Sequence, residues 1–251
     1  VDKNGVWNGL VLDTFSDNTS TGTQDDPIII TSPGELALLI ETGGKGKYYK
    51  LANDIYLNDV TAGATWHSRD TNNGWYTNAA PTFSGHIDGN GYCIYGIYFS
   101  SEKPPKYAGL ICEFVGGSVK NLGIRKSRIF AQTYSGGIAG IANGSEQKVF
   151  ENCFVDETVL SMYVKDGTNG AGGILGYASG GGRSLENPTI IFKNCYSKAK
   201  LGGYDTKYRL NGIIGTSWDC GYTMENCYSV GYSAYRGHSD RAASTILQDG
   251  T

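Results

Sequence analysis

The residues of this chain best placed to do chemistry are aromatic rather than nucleophilic. Trp66, Trp75 and Tyr76 fall in one polar stretch, residues 60–82, beside Arg69, Asp70, Asn72 and Asn73. Tyr204 and Tyr208 fall in a second stretch beside Asp205, Lys207 and Arg209, and Trp218 stands before Asp219. Sugar rings present C–H faces that stack on aromatic planes, and their hydroxyls pair with amides, carboxylates and guanidinium groups. A rigid aromatic ring supplies such a face at little entropic cost. The expected ligand-binding set is therefore Trp66, Arg69, Asp70, Trp75, Tyr76, Tyr204, Tyr208 and Trp218, framing one groove if the stretches project from corresponding corners. For any single ring the plainer reading is packing against the wall of the fold, and Tyr196 and Tyr228 are read that way. Two Trp in one polar loop would cost stability if merely exposed.

Catalytic constellations are not assembled in the sequence. Glycoside hydrolysis needs two carboxylates across one bond, and the ordered motifs shared by polygalacturonases are not met. Asp25-Asp26 precedes the repetitive region, Gly85-His86-Ile87 lacks a second Gly, and Gly123-Ile124-Arg125-Lys126 is a poor match for their basic motif. A uronate lyase would need a basic group beside a carboxylate-held Ca²⁺, and Arg125, Lys126 and Arg128 have no acidic cluster beside them. His67, His86 and His238 are scattered, with no Ser or Cys nucleophile motif nearby. No catalytic residue is assigned, and a non-enzymatic protein is expected.

The six Cys show no close pair of the zinc-site type. Cys153, Cys195 and Cys227 are expected as small buried thiols in one column, with a Cys220–Cys227 bridge as an alternative. No cofactor is expected. Asp13, Asp17, Asp25 and Asp26 with Asn58-Asp59 are the one set that could hold a structural Ca²⁺, whereas Asp88-Gly89-Asn90-Gly91 reads as a tight turn.

The elements that must position these residues are written in the composition. The 251 residues include 37 Gly and 18 Tyr, with 18% charged residues and a net charge of −3, against a usual Gly share of about 7%. Aromatic content and low net charge oppose disorder, Gly without a three-residue period excludes collagen, and helix formers are few. No basic stripe suits nucleic acid, and no apolar run suits a transmembrane helix. Ser32-Pro33-Gly34-Glu35 is a capping box with proline at the first helical position, followed by Leu36, Leu39 and Ile40 and ended by Gly43-Gly44. Tyr48–Leu57 reads as strand.

From Phe83 onward two patterns alternate. One is a Gly-rich apolar strand: Ala108–Cys112, Gly136–Gly140, Gly172–Gly176 and Asn211–Gly215. The other ends in a polar turn: Val119–Leu122, Phe150–Cys153, Phe192–Cys195 and Met224–Cys227. The recurrent Asn residues are 31, 42 and 32 apart, so a constant core carries variable loops. Third-strand candidates are Ser127–Phe130, Val159–Val164, Lys198–Leu201 and Val230–Tyr232. Three short strands per repeat, stacked at about 4.8 Å, give an all-β, right-handed parallel β-helix, or β-solenoid. Asn121, Asn152, Asn194 and Asn226 would form an amide ladder at one corner, with Gly at positive φ at the other. The expected organisation is a single module, 1–251: residues 1–47 form an N-terminal strand and capping helix, 48–233 the repeats and 234–251 a C-terminal tail.

Phe83–Gly91, Ala108-Gly109-Leu110, Asn121-Leu122-Gly123-Ile124 and the later Gly-Gly-Ile-x-Gly and Asn-Cys-Tyr-Ser copies resemble the GLUG-type repeats of secreted bacterial proteins. The segment from Glu35 to Asp59 is similar to the lead-in often found before such repeats. The resemblance spans roughly 28–233 and implies a β-helical module, secreted or on the bacterial cell surface, without implying an activity. More narrowly, the chain resembles the large Tyr- and Gly-rich carbohydrate-binding modules of cellulosomal bacteria, some of which bind xyloglucan and related β-glucans. That likeness implies a non-catalytic module excised from a larger extracellular enzyme or cellulosomal protein. Its partner would be a neutral plant polysaccharide, with no nucleic acid and no membrane insertion. The alternatives are an adhesin or spacer that binds a protein and, behind it, a polysaccharide lyase or hydrolase.

Overall fold

The computed structural model describes residues 5–61, 67, 72–75, 81–162, 169–182, 184, 186–203, 209–235, 241–242 and 245–246. One helix accompanies a set of short strands. Among the described residues these form four sheets, of ten, seven, five and four strands, paired in parallel except at the C-terminal end. The chain is an all-β protein of parallel sheets plus the helix Pro33–Thr42.

The pairing explains the sequence period. Equivalent strands of successive repeats lie side by side in register. Val119, Phe150, Phe192 and Met224 align across the ten-stranded sheet, Ile55, Ile94, Ile124 and Val155 across the seven-stranded one, and Ile129, Leu160 and Leu201 across the five-stranded one. Because side chains alternate along a strand, these columns fill the core while their neighbours face out. Phe114, Phe150 and Phe192 pack ring on ring inside, the last pair parallel at 4.9 Å. The third strands occur at Arg128–Ala131, Val159–Met162, Lys200–Gly203 and Tyr232–Tyr235, close to their expected positions.

The two corners differ from expectation in an instructive way. The Gly-rich motifs are not single strands. One strand ends at Gly136 and the next begins at Ala139, so the motif is itself the bend between two sheets. Gly is needed there for close approach rather than for positive φ: a Cβ on Gly136 would lie 2.1 Å from the Ala139 carbonyl oxygen. Positive φ falls on the Asn corner, where Asn121, Asn152, Asn194 and Asn226 adopt 52°, 53°, 52° and 51°, a region Asn tolerates better than other side chains. Their amides form the expected ladder. Asn226 Nδ2 donates to Asn194 (3.1 Å), Asn194 to Asn152 (3.0 Å), Asn152 to Asn121 (2.9 Å) and Asn121 to Asp88 Oδ1 (2.9 Å).

The helix starts as its sequence predicts, with Ser32 and Glu35 forming a reciprocal capping box and Gly43 closing it at φ 77°. Glu35 is buried. Burial pushes its carboxyl up, but hydrogen bonds from Ser16 and Thr31 outweigh that and hold it below the ordinary value. The stretch after 233, read as a tail, returns as strands Arg241–Ala242 and Thr245–Ile246, which pair antiparallel with Tyr232–Tyr235 and Tyr228–Ser229. All six cysteines are free thiols, five of them buried. Cys220 and Cys227 are not bridged.

Candidate ligand-binding surface

The strands that meet at the Gly-rich corner project a row of aromatic rings outward. Tyr107, Tyr134, Gly170 and Arg209 share one register position across the four-stranded sheet. Tyr107 and Tyr134 stack at 5.9 Å. Gly170 has no side chain to continue the row, and Tyr177 from the adjoining sheet stacks on Tyr134 at 4.4 Å and 9° instead. Lys106 Nζ lies 5.1 Å from the Tyr107 ring centroid, and its hydrogen bond to the Tyr107 hydroxyl raises its pKa. Along the same face Asn143 Nδ2 donates to Glu113 Oε1 (2.6 Å) and Arg209 Nη1 to Thr216 Oγ1 (2.9 Å).

Rings stacked on each other turn their faces inward to the stack and leave edges and hydroxyls for solvent. The tyrosine row is therefore a rigid line of polar edges rather than a series of platforms. The most exposed ring comes at its end. Trp218 pairs in register with Ser179, two residues beyond Thr216 on the same strand. At 67% exposure it is the most exposed large apolar side chain among the described residues.

Of the two expected ligand-binding residues that fall among the described ones, Trp218 lies exposed on the surface. Trp75 does not. It is 1% exposed, sits edge-on to Trp7 at 5.4 Å, and donates from Nε1 to the Leu110 carbonyl at 3.0 Å. The cause is the paired amides that fold its segment inward: Asn58 Nδ2 donates to the Asn73 carbonyl and Asn58 Oδ1 accepts the Asn73 N–H. Trp75 is core. Trp66, Arg69, Asp70, Tyr76, Tyr204 and Tyr208 lie outside the described residues. The other wall rings are stacked as expected, with Phe154, Tyr196 and Tyr228 parallel at 5.1 and 5.3 Å.

A concavity of about 640 Å³ opens elsewhere, on the outer face of the ten-stranded sheet around Tyr48, His86 and Ser118. Tyr48 and His86 stack at 4.0 Å, and His86 Nδ1 lies 2.9 Å from Ser118 Oγ. Burial, and then the nearby Lys120 charge, push the imidazole below its ordinary pKa, which favours its neutral form. No Ser or Cys nucleophile motif lies near any His along the sequence, but here the fold brings a Ser hydroxyl to one. The surroundings do not extend the pair toward acyl transfer, which needs donors aimed at the developing oxyanion. The Gly117 N–H is committed to the Gln147 carbonyl, and Asp88 Oδ1 to Asn90 and Asn121. Neither the pair nor the row follows from a fixed offset to the sequence motifs, since Tyr134 stands two residues before Gly136 but Tyr107 one before Ala108, and only the strand register sets Tyr107 against Tyr134 and His86 against Ser118.

The basic triplet is divided. Arg125 pairs with Glu157, and Arg128 hydrogen-bonds His67 at 2.9 Å while lying over Phe130. Among the acidic residues considered for Ca²⁺, Asp17 is organised by donors from Ser20, Ile29 and Thr19, which hold it well below the carboxylate range, and Asp26 by the Thr21 N–H and hydroxyl. Among the described residues no three His, Cys, Asp or Glu converge as a metal site would require.

No protein-family profile matches the chain. It is 30% identical over 142 residues to a protein of Evansella cellulosilytica provisionally named as a Gly-rich membrane protein. The match covers 54% of this chain and the chain spans 15% of that relative's length. Among solved structures it is similar to a protein of Bacteroides ovatus provisionally named an immunoglobulin A1 protease, at 17% identity and a TM-score of 0.47, covering 92% of this chain and 82% of that one. No helix among the described residues is long and apolar enough to cross a membrane.

Proposed function

We propose that the chain is a right-handed parallel β-helix of GLUG-like repeats, capped by its helix, that serves as a non-catalytic module binding a neutral plant β-glucan such as xyloglucan. In-register parallel pairing of equivalent strands in successive repeats supports the architecture, and a parallel crossover of this kind takes the right-handed sense. The observation that carries the function is the exposed Trp218 at the end of the Tyr107–Tyr134–Tyr177 row. A platform for one sugar ring is continued by hydroxyl edges, with Lys106, Glu113, Asn143 and Arg209 beside them to pair with sugar hydroxyls. The mixed, near-neutral charge of this face suits an uncharged polymer better than a polyanion. The module would act outside the cell, tethered to a larger protein, with no cofactor.

Affinity electrophoresis in gels containing xyloglucan, mixed-linkage β-glucan or pectin tests this reading. Retardation in a neutral glucan and not in pectin is expected. Unchanged mobility of the folded protein in every neutral glycan would sink it.

A further inference from the structure

The last repeat ends in an edge that specifies what should lie next to it. Among the described residues the strand Tyr222–Glu225 pairs with Ile190–Lys193 on one side only, whereas the C-terminal strands cover the neighbouring ends at Tyr228–Ser229 and Tyr232–Tyr235. Its side chains are those of an interior layer left without its neighbour. Tyr222 continues the inward column Gly117, Lys148 and Ile190, yet it is 38% exposed, and Met224 continues Val119, Phe150 and Phe192 but is only half-buried. An unpaired edge with apolar side chains is a template for another strand.

Three ladders ending here give that strand a sequence. On the outer face the aligned residues are Lys50, Asp88, Lys120, Glu151, Lys193 and Glu225. The sign alternates at every step, with Lys120–Glu151 at 2.8 Å and Lys193–Glu225 at 3.9 Å, as it must where directly opposed like charges repel. The next member is a cation. In the amide ladder Asn226 spends its N–H on Asn194, which leaves its Oδ1 to accept from a donor one step on. In the inward column Tyr222 and Met224 call for apolar partners.

The geometry points to strand addition here by an extended protein segment that reads apolar-x-apolar-cation-amide: apolar residues over Tyr222 and Met224, Lys or Arg opposite Glu225, and Asn on Asn226. The edge follows the Trp218 strand in the same terminal repeat, but strand addition is read at residues 222–226 without any glycan, so it stands or falls independently of glycan binding.

The test uses the folded ¹⁵N-labelled protein and a terminally blocked peptide with the sequence of residues 189–194, Thr-Ile-Ile-Phe-Lys-Asn. Saturable shifts centred on backbone amides 222–226 are expected, with an affinity in the roughly millimolar range set by so short a segment. Replacing the peptide Lys by Glu should weaken binding roughly fivefold, and Glu225→Lys should reverse the preference. The proposal would be overturned by no shifts up to about 5 mM peptide, several times the expected constant; by binding indifferent to both charge swaps; or by shifts centred elsewhere. A concentration-dependent dimer in sedimentation velocity that the peptide fails to dissolve would assign the edge to a second copy and overturn it too.

Discussion

The cluster Phe114, Phe150 and Phe192 inside the sheets and the row Tyr107, Tyr134 and Tyr177 outside them each contain a parallel ring stack, put to different ends. Phe150–Phe192 and Tyr134–Tyr177 are both parallel, at 4.9 and 4.4 Å. Inside, every ring surface is withdrawn from water and the stack contributes cohesion. Outside, the stack hides ring faces and presents hydroxyls, so it contributes shape and polarity for little stability. Aromatic content alone does not distinguish a wall from a binding face. What distinguishes them is which surface of the ring is left over.

Removing an interior ring should break the comparison most strongly. Phe150→Ala is expected to cost about 3–5 kcal/mol in chemical denaturation, because the packed neighbours cannot close the cavity. A cost near 1 kcal/mol would mean that the inner column is loosely packed.

Lys148 sharpens the contrast from the polar side. It shares the interior face with Phe150 and is wholly buried, its Nζ donating to the Gly144 carbonyl at 2.7 Å. Burial lowers its pKa from 10.5 to about 8, with Cys220 and Glu146 opposing the shift. Between about pH 8 and 10.5 the unfolded chain holds the proton that the folded chain has released, so stability conferred by this site rises with pH. Buried thiols such as Cys112, pushed up to about 12 by burial, work in the opposite direction, so the difference from a variant is the useful quantity. In a Cys220→Ser background, Lys148→Met should stabilise the protein at pH 7 and lose that advantage by pH 10.5, a change of about 3 kcal/mol at 1.36 kcal/mol per pKa unit. A flat difference across that range would remove the buried-cation account.

The Asn corner gives a smaller effect. Asn152→Ala loses two ladder bonds and forces Ala to a φ near 53°, at an expected cost of about 1–3 kcal/mol. Asn152→Gly keeps the turn and loses only the amides, so about half that cost should return. Equal costs would assign the whole effect to the ladder. Least disturbing is Tyr134→Phe, which should leave stability within about 0.5 kcal/mol while weakening glycan retention a few-fold.

Much of this fold was legible because period-two alternation, the capping box and the Asn turn are local signals. The Asn-to-Asn spacing located the repeats from Asn121 onward, and the helix appeared at Ser32 for the reason its sequence implied. The site was less legible. Trp75 lies in a polar stretch and so looked exposed, but its burial depends on Asn58 and Asn73 pairing across 15 residues, which no local pattern announces. The tyrosine row escaped notice because its members sit one per repeat, separated in sequence and joined only by register. Gly170, the absent side chain that lets Tyr177 in, is visible only once those registers are laid side by side.

Calorimetric titration of soluble xyloglucan oligosaccharide into the wild-type protein and Trp218→Ala tests the central claim most directly. The account predicts measurable binding to the wild type and a loss of roughly tenfold or more in the variant, with unchanged thermal unfolding, as expected for about 1.4 kcal/mol from a lost stacking contact. Equal affinity in the two proteins, or no heat with either, would contradict it.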